Sequence, residues 1–163
     1  QKVLAQTLRN TGARVGEVVQ LRWRDIGKEQ ILFPATITKR KLKSRELFIS
    51  ESFHKYLMDW SRYWTIYKGR KPTPEDYVFY GRKEGSHITT RSFQLALQKA
   101  SLKAKITGVS SHSYRRTQLT QLHRKQVPLN VIKSLSGHQS LATLSLYLQV
   151  DDREKREASK LFA

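Results

Sequence analysis

Arg14 lies in the run Gly12-Ala13-Arg14-Val15-Gly16-Glu17, where the two flanking glycines suit a tight turn at a helix start. Glu17, three residues on, falls on the same helical face and is placed to hold the guanidinium. The same pair also reads as a surface arginine with a capping neighbour. A second set is Ser111-His112-Ser113-Tyr114-Arg115-Arg116-Thr117. In a helix beginning at Ser113, His112 and Arg115 point the same way. A helix N-terminus, an imidazole and a guanidinium together cradle a phosphate; without chemistry, they form a basic face that rests on a DNA backbone. A third set is Leu135-Ser136-Gly137-His138-Gln139-Ser140, with Tyr147 nine residues after His138. A lone tyrosine among leucines reads as core with its hydroxyl at the rim. The run Lys39-Arg40-Lys41-Leu42-Lys43-Ser44-Arg45 adds a basic hairpin whose lysines suit contact with phosphates.

The elements that must position these residues follow from periodicity. Val3, Leu4, Thr7 and Leu8 recur at helical spacing, with Gly12 where a C-cap falls. Val15, Val18, Val19 and Trp23 repeat the pattern in a second short helix. Residues 31–33, 35–37 and 46–49 read as three short strands, with Pro34 marking an edge or a break. Phe53, Tyr56, Leu57, Trp60 and Trp64 form an apolar helical stripe behind a cap at Ser52. Thr89 or Thr90 caps a helix carrying Phe93, Leu95, Leu97 and Ala100. Further helices are expected at 113–125, at 128–135 with Pro128 in the first turn, at 140–147 after a Ser140 cap, and at 151–160. The expected fold is mainly α with a small antiparallel three-stranded sheet, an α+β arrangement in one domain, 1–163.

Composition narrows the partners. The chain carries 31 Lys+Arg against 13 Asp+Glu, a net charge of +18 spread along its whole length. That balance points to a polyanion, either nucleic acid or an anionic membrane surface. At 38% hydrophobic residues a packed core is within reach, which argues against disorder. The chain contains no cysteine, so a disulfide scaffold, a zinc ribbon and a thiolate nucleophile are excluded. No apolar run reaches the roughly 18 residues of a membrane span, and no secretory signal opens the chain. A first residue that is not Met reads as a fragment of a longer protein.

Taken in order, Gly12-Ala13-Arg14-x-Gly16-Glu17, Leu21-Arg22-Trp23-Arg24-Asp25-Ile26, the basic hairpin, His112-x-x-Arg115 with Arg116-Thr117, and Gly137-His138 with Tyr147 resemble the catalytic domain of the tyrosine recombinase (phage integrase) family from about residue 3 to about residue 150. The resemblance implies site-specific cleavage and rejoining of DNA through a 3′-phosphotyrosyl link to Tyr147, with no metal, no ATP and no cofactor. Arg14 and Arg115 would grip the non-bridging oxygens of one phosphate, as guanidiniums that never lose their charge. His112 and His138 would donate hydrogen bonds or assist proton transfer. The leaving 5′-oxygen would take a proton from a hairpin lysine: Lys39, nine residues before Phe48, with Lys41 as the alternate. Arg40 is a poor general acid because a guanidinium pKa exceeds about 12. Arg116 stands where relatives often carry a second His, and Phe48 where they often carry Pro.

The resemblance further implies double-stranded DNA as partner, a tetramer on DNA, a C-terminal segment (151–163) that docks on a neighbour, no membrane role and a cytoplasmic, nucleoid-associated location for a bacterial or phage-encoded protein. An N-terminal DNA-clamping domain is expected to be missing from this fragment, so the fragment alone is expected to bind DNA weakly. A type IB topoisomerase shares the residue set, and a DNA-binding module without catalysis is the reading from a different class. A metal-dependent nuclease needs clustered carboxylates; the pair Asp151-Asp152 reads instead as the cap of the last helix.

Overall fold

The computed structural model describes residues 1–38, 43–148 and 152–162. The chain divides into two compact units, Gln1–Gln118 and Leu119–Ala163.

The first unit opens with helix α1 (Lys2–Thr11), which buries Leu4, Thr7 and Leu8 at i, i+3 and i+4. Gly12 ends it in the left-handed region at φ 60°, its N–H donating to the Leu8 carbonyl at 2.9 Å. The turn leads into the single-turn helix α2 (Val15–Val18), which packs on α1. A 3-10 turn over Trp23–Asp25 follows, with the Arg22 N–H donating to the Asp25 carboxylate at 2.9 Å. Strands β1 (Gln30–Phe33) and β2 (Arg45–Phe48) pair antiparallel, Ile31 opposite Leu47 and Phe33 opposite Arg45. Ile31, Phe33 and Leu47 are buried, and the alternate residues turn outward, as the two-residue period of a strand requires.

The sheet therefore has two strands among the described residues, not the expected three. Ala35–Ile37 alternates in polarity like a strand but forms a 3-10 turn. Pro34 has no N–H to give a ladder. Beyond it the backbone closes on itself, Ile37 N–H on the Pro34 carbonyl at 3.1 Å and Thr38 N–H on Ala35 at 3.2 Å. The Thr38 hydroxyl donates to the carbonyls of Ala35 (2.9 Å) and Lys43 (3.2 Å), and the Ala35 N–H donates to Ser44 Oγ at 3.1 Å. These bonds clasp the two ends of the basic hairpin. Lys39 and Lys41 lie outside the described residues.

Helix α3 (Glu51–Lys68) buries Phe53, Leu57 and Trp64 along the expected stripe and packs against α1. Its cap is Ser50 rather than Ser52: Ser50 Oγ accepts the Phe53 N–H at 3.2 Å, and the Ser52 hydroxyl lies 3.0 Å from that of Ser50. The next segment returns across the unit, Val78 N–H bonding the Leu21 carbonyl and Trp60 Nε1 donating to Val78. Thr89 caps helix α4 (Thr90–Lys103), in which only Phe93 is buried. Helix α5 (Ser111–Arg124) starts two residues earlier than expected, with the Ser110 N–H on Ser113 Oγ at 3.0 Å.

The second unit begins within α5 and continues through α6 (Leu129–Ser136), α7 (Leu141–Ser145) and α8 (Asp152–Ser159), with a terminal 3-10 turn over Lys160–Phe162. Gly137 ends α6 at φ 68°, and Ser140 Oγ accepts the Thr143 N–H at 3.1 Å to start α7. Helix α6 begins after Pro128, which serves as its N-cap. Leu119, Ile132 and Leu144 form the core, flanked by Leu122, Val127, Tyr147 and Leu148. At roughly 1.5–3 kcal/mol per buried aliphatic side chain, this small core offsets little of the ordering entropy of its segment. Most of the stabilising burial lies in the first unit, where Trp64, Phe33, Leu57, Leu21 and Ile31 are sealed.

Candidate active site

In the first unit the candidate cations gather on the turn between α1 and α2. Arg14 is the N-cap of α2, in extended conformation, and Glu17 closes a reciprocal cap. Glu17 Oε2 accepts the Arg14 N–H at 3.2 Å, and Oε1 pairs with Arg14 Nη1 at 3.1 Å. Local spacing alone suffices for that contact. Glu17 also takes Arg45 from β2, Nη2 to Oε2 at 2.8 Å, across 28 residues of chain. Burial by itself would push the Glu17 carboxyl up; the Arg45 guanidinium, joined by Arg14, outweighs it and holds the group below the ordinary carboxylate range.

Arg115 is almost fully buried, at 1% exposure, and its Nη1 donates to the Gly12 carbonyl at 2.8 Å. One turn later the Gln118 side chain donates to the Arg9 carbonyl. The left-handed Gly12 turn thus presents a carbonyl to Arg115 two residues before it presents Arg14. His112 sits in the first turn of α5 and is exposed, so it does not share the buried side of Arg115.

In the second unit His138 and Tyr147 are brought together, their ring centroids 5.0 Å apart and tilted by 44°. His138 is buried and shares a 2.7 Å hydrogen bond through Nδ1 with Ser136 Oγ. That partner helps to fix the ring plane. Tyr147 is half-buried against the Leu119–Ile132–Leu144 core, and its carbonyl accepts the Thr120 hydroxyl at 3.1 Å. Packing and rim position coexist at this residue.

Arg45, Ser136 and the Gly12 carbonyl are the contributions that residue types alone do not flag. A signal existed for Arg45: strand alternation puts it on the inward face with Leu47, and an inward arginine demands a carboxylate partner. Among the described residues no group of three His, Asp or Glu side chains could hold a metal ion, and no helix is long and apolar enough to cross a membrane.

Residues 1–154 match the pattern of the Phage integrase family, and the chain belongs to that family of tyrosine recombinases. A tyrosine recombinase of Thermosipho africanus is 29% identical, covering 98% of this chain and 53% of the relative. Transposase A from transposon Tn554 of Staphylococcus aureus is 30% identical, covering 98% of this chain and 46% of its own. The chain spans about half the length, or less, of the curated relatives it matches. The crystal structure of the XerH site-specific recombinase bound to a palindromic difH substrate, a post-cleavage complex, superposes with a TM-score of 0.81 at 24% identity, over 99% of this chain and 45% of that one. At that identity the likeness establishes the fold.

Proposed function

We propose that residues 1–163 act as the catalytic domain of a site-specific DNA recombinase that cuts and rejoins strands through Tyr147. The observation that carries this reading is the fixing of two permanent cations on one turn, Arg115 on the Gly12 carbonyl and Arg14 on Glu17. Both belong to a family match that also contains His112, His138 and Tyr147. In the reaction the Tyr147 oxygen attacks phosphorus as the bond from phosphorus to the 5′-oxygen breaks. Arg14 and Arg115 neutralise the charge that grows on the non-bridging oxygens, and such fixed charge usually lowers the barrier of a phosphoryl transfer more than any other effect. The leaving 5′-oxygen takes its proton from a hairpin lysine, Lys39 or Lys41. His138, held through Nδ1 by Ser136, and His112 at the start of α5 supply hydrogen bonds, and one of the two imidazoles takes the proton that the Tyr147 phenol gives up on attack. The phosphotyrosyl ester keeps the bond energy, so religation by a 5′-hydroxyl needs neither ATP nor metal.

The partner in this reading is double-stranded DNA, bound by a tetramer in which the C-terminal segment reaches a neighbour. The helical α8 and a Phe162 that is 91% exposed support a segment shaped for a partner. The test is a nicked suicide duplex incubated with the protein and resolved on a denaturing gel. A covalent protein–DNA band that persists in EDTA and disappears in Tyr147→Phe is expected. No such band from the unaltered protein would overturn the cleavage reading.

A further inference from the structure

Glu17 holds two guanidiniums, and only Arg14 is assigned to the phosphate. The other, Arg45, has a side chain only 10% exposed, lies 4.9 Å from the Phe33 ring centroid and pairs in register with that residue. A buried carboxylate facing a single guanidinium would form a closed neutral pair, and the fork of Arg14 would be drawn fully onto it. With Arg45 on Oε2, the trio carries a net positive charge. Arg14 is then engaged through Nη1, while its side chain stays 25% exposed. A guanidinium has five N–H donors, so most of the fork is left for a phosphate.

We propose that Arg45 is a positioning residue for Arg14: seated on Phe33 and paired with Glu17, it fixes the carboxylate that orients the phosphate-binding guanidinium. The proposal rests on the reading of Arg14 as a phosphate ligand. It also links two parts of the machinery, because β2 is the strand that follows the basic hairpin. Guanidinium geometry matters here. The planar fork both stacks on an aromatic face and donates in a fixed direction, which an ammonium cannot reproduce.

The charged groups that act on Glu17 are Arg14, at the start of its own helix, and Arg45, from β2. Helix α1, which packs on α2, buries the uncharged Leu4, Thr7 and Leu8. Removing Arg45 therefore leaves burial opposed by Arg14 alone, and the Glu17 carboxyl must titrate at higher pH.

The experiment compares the unaltered chain with Arg45→Met and Arg45→Lys. Carbon-13 NMR follows the Glu17 carboxyl, the nicked duplex gives the rate of covalent adduct formation against pH, and thermal melts report folding. Outer partners that orient metal ligands are worth roughly 10–100-fold, and a residue that orients a phosphate ligand acts by the same geometric means. Arg45→Met is thus expected to cut adduct formation by about that factor near neutral pH, with the acid limb of the profile moved upward and the deficit shrinking as pH rises. Arg45→Lys should restore part of the rate and part of the shift. A merely structural role would lower the melting temperature and leave the acid limb in place. A folded Arg45→Met with unaltered rate and limb overturns the proposal; if that variant does not fold, an unaltered rate and limb in Arg45→Lys does so. Should the unaltered protein form no adduct, the cleavage reading fails on its own. The Glu17 titration needs no DNA, and an unmoved carboxyl then overturns the positioning.

Discussion

Glu17, Asp76 and Asp25 are carboxylates of one unit that their neighbours drive in different directions. Asp76 accepts both nitrogens of Arg70, at 2.7 and 2.9 Å, together with the Thr73 N–H at 2.7 Å and hydroxyl at 2.8 Å. The Arg70 guanidinium, then Thr73, holds its carboxyl far below the ordinary range. Glu17 is also lowered, through Arg45 and Arg14 against the opposing effect of burial. Asp25 is raised, because burial outweighs the bond it accepts from the Arg22 N–H. A lowered carboxyl adds stability that is complete above the unfolded value, near 4, and lost as pH falls through the folded value. A raised one has the opposite sign: ionised Asp25 opposes folding, and acid relieves it. Asp76 is driven farthest of the three, so its protonation makes acid destabilising in its loop. Asp76→Ala should cost about 1–2 kcal/mol at neutral pH, mainly through the Thr73 bonds, since the exposed Arg70 pair is screened. It should also flatten the loss of stability below pH ~4. Urea melts across pH measure both, and an unchanged acid slope would show that Asp76 does not carry it.

The turn between α1 and α2 shows how an element sets the site. Gly12 lies at φ 60°, and a Cβ there would meet Gln118 Cβ at 3.3 Å; Gly69 adopts φ 71° with nothing within 4 Å. A left-handed backbone costs a residue with a Cβ about 1–2 kcal/mol. Gly12→Ala and Gly69→Ala should therefore lose similar stability, while only Gly12→Ala, which disturbs the carbonyl under Arg115, should also slow adduct formation by tenfold or more. Equal cleavage in the two variants would separate that carbonyl from catalysis. Gly12, Ser140 and Thr89 were legible in the sequence because a cap is settled among close neighbours in the chain. So was the Arg14–Glu17 contact, at three residues' spacing. Ala35–Ile37 was not legible as a turn, since alternation cannot show that Thr38 will reach both Ala35 and Lys43. Arg45 on Glu17, Arg115 on Gly12 and Ser136 on His138 depend on tertiary packing or rotamer choice, which composition and periodicity do not encode. The family resemblance supplied the candidate site residues; the structure supplied the contacts of those it describes.

At the scale of the whole molecule, a net charge of +18 exceeds what one scissile phosphate can use. The surplus should act as a sequence-blind grip, with affinity falling by orders of magnitude between roughly 50 and 200 mM salt as counterions return to DNA. Arg116, exposed beside Arg115, is a candidate for that grip. Arg116→Gln should reduce the log–log salt slope by about one and spare cleavage at saturating DNA, whereas Arg14→Ala should abolish cleavage with little change in slope. Filter binding across salt, paired with the adduct assay, distinguishes them; a cleaving Arg14→Ala would remove it from the phosphate. The division at Gln118 bears on manufacture as well. Arg14, Glu17, Arg45, His112 and Arg115 all precede it, and His138 and Tyr147 follow. A ribosome builds from the N-terminus, so the candidate cations are made before the proposed nucleophile. Under the proposed function, a product stalled between the two sets would hold the cations that grip DNA and lack the tyrosine that would cut it.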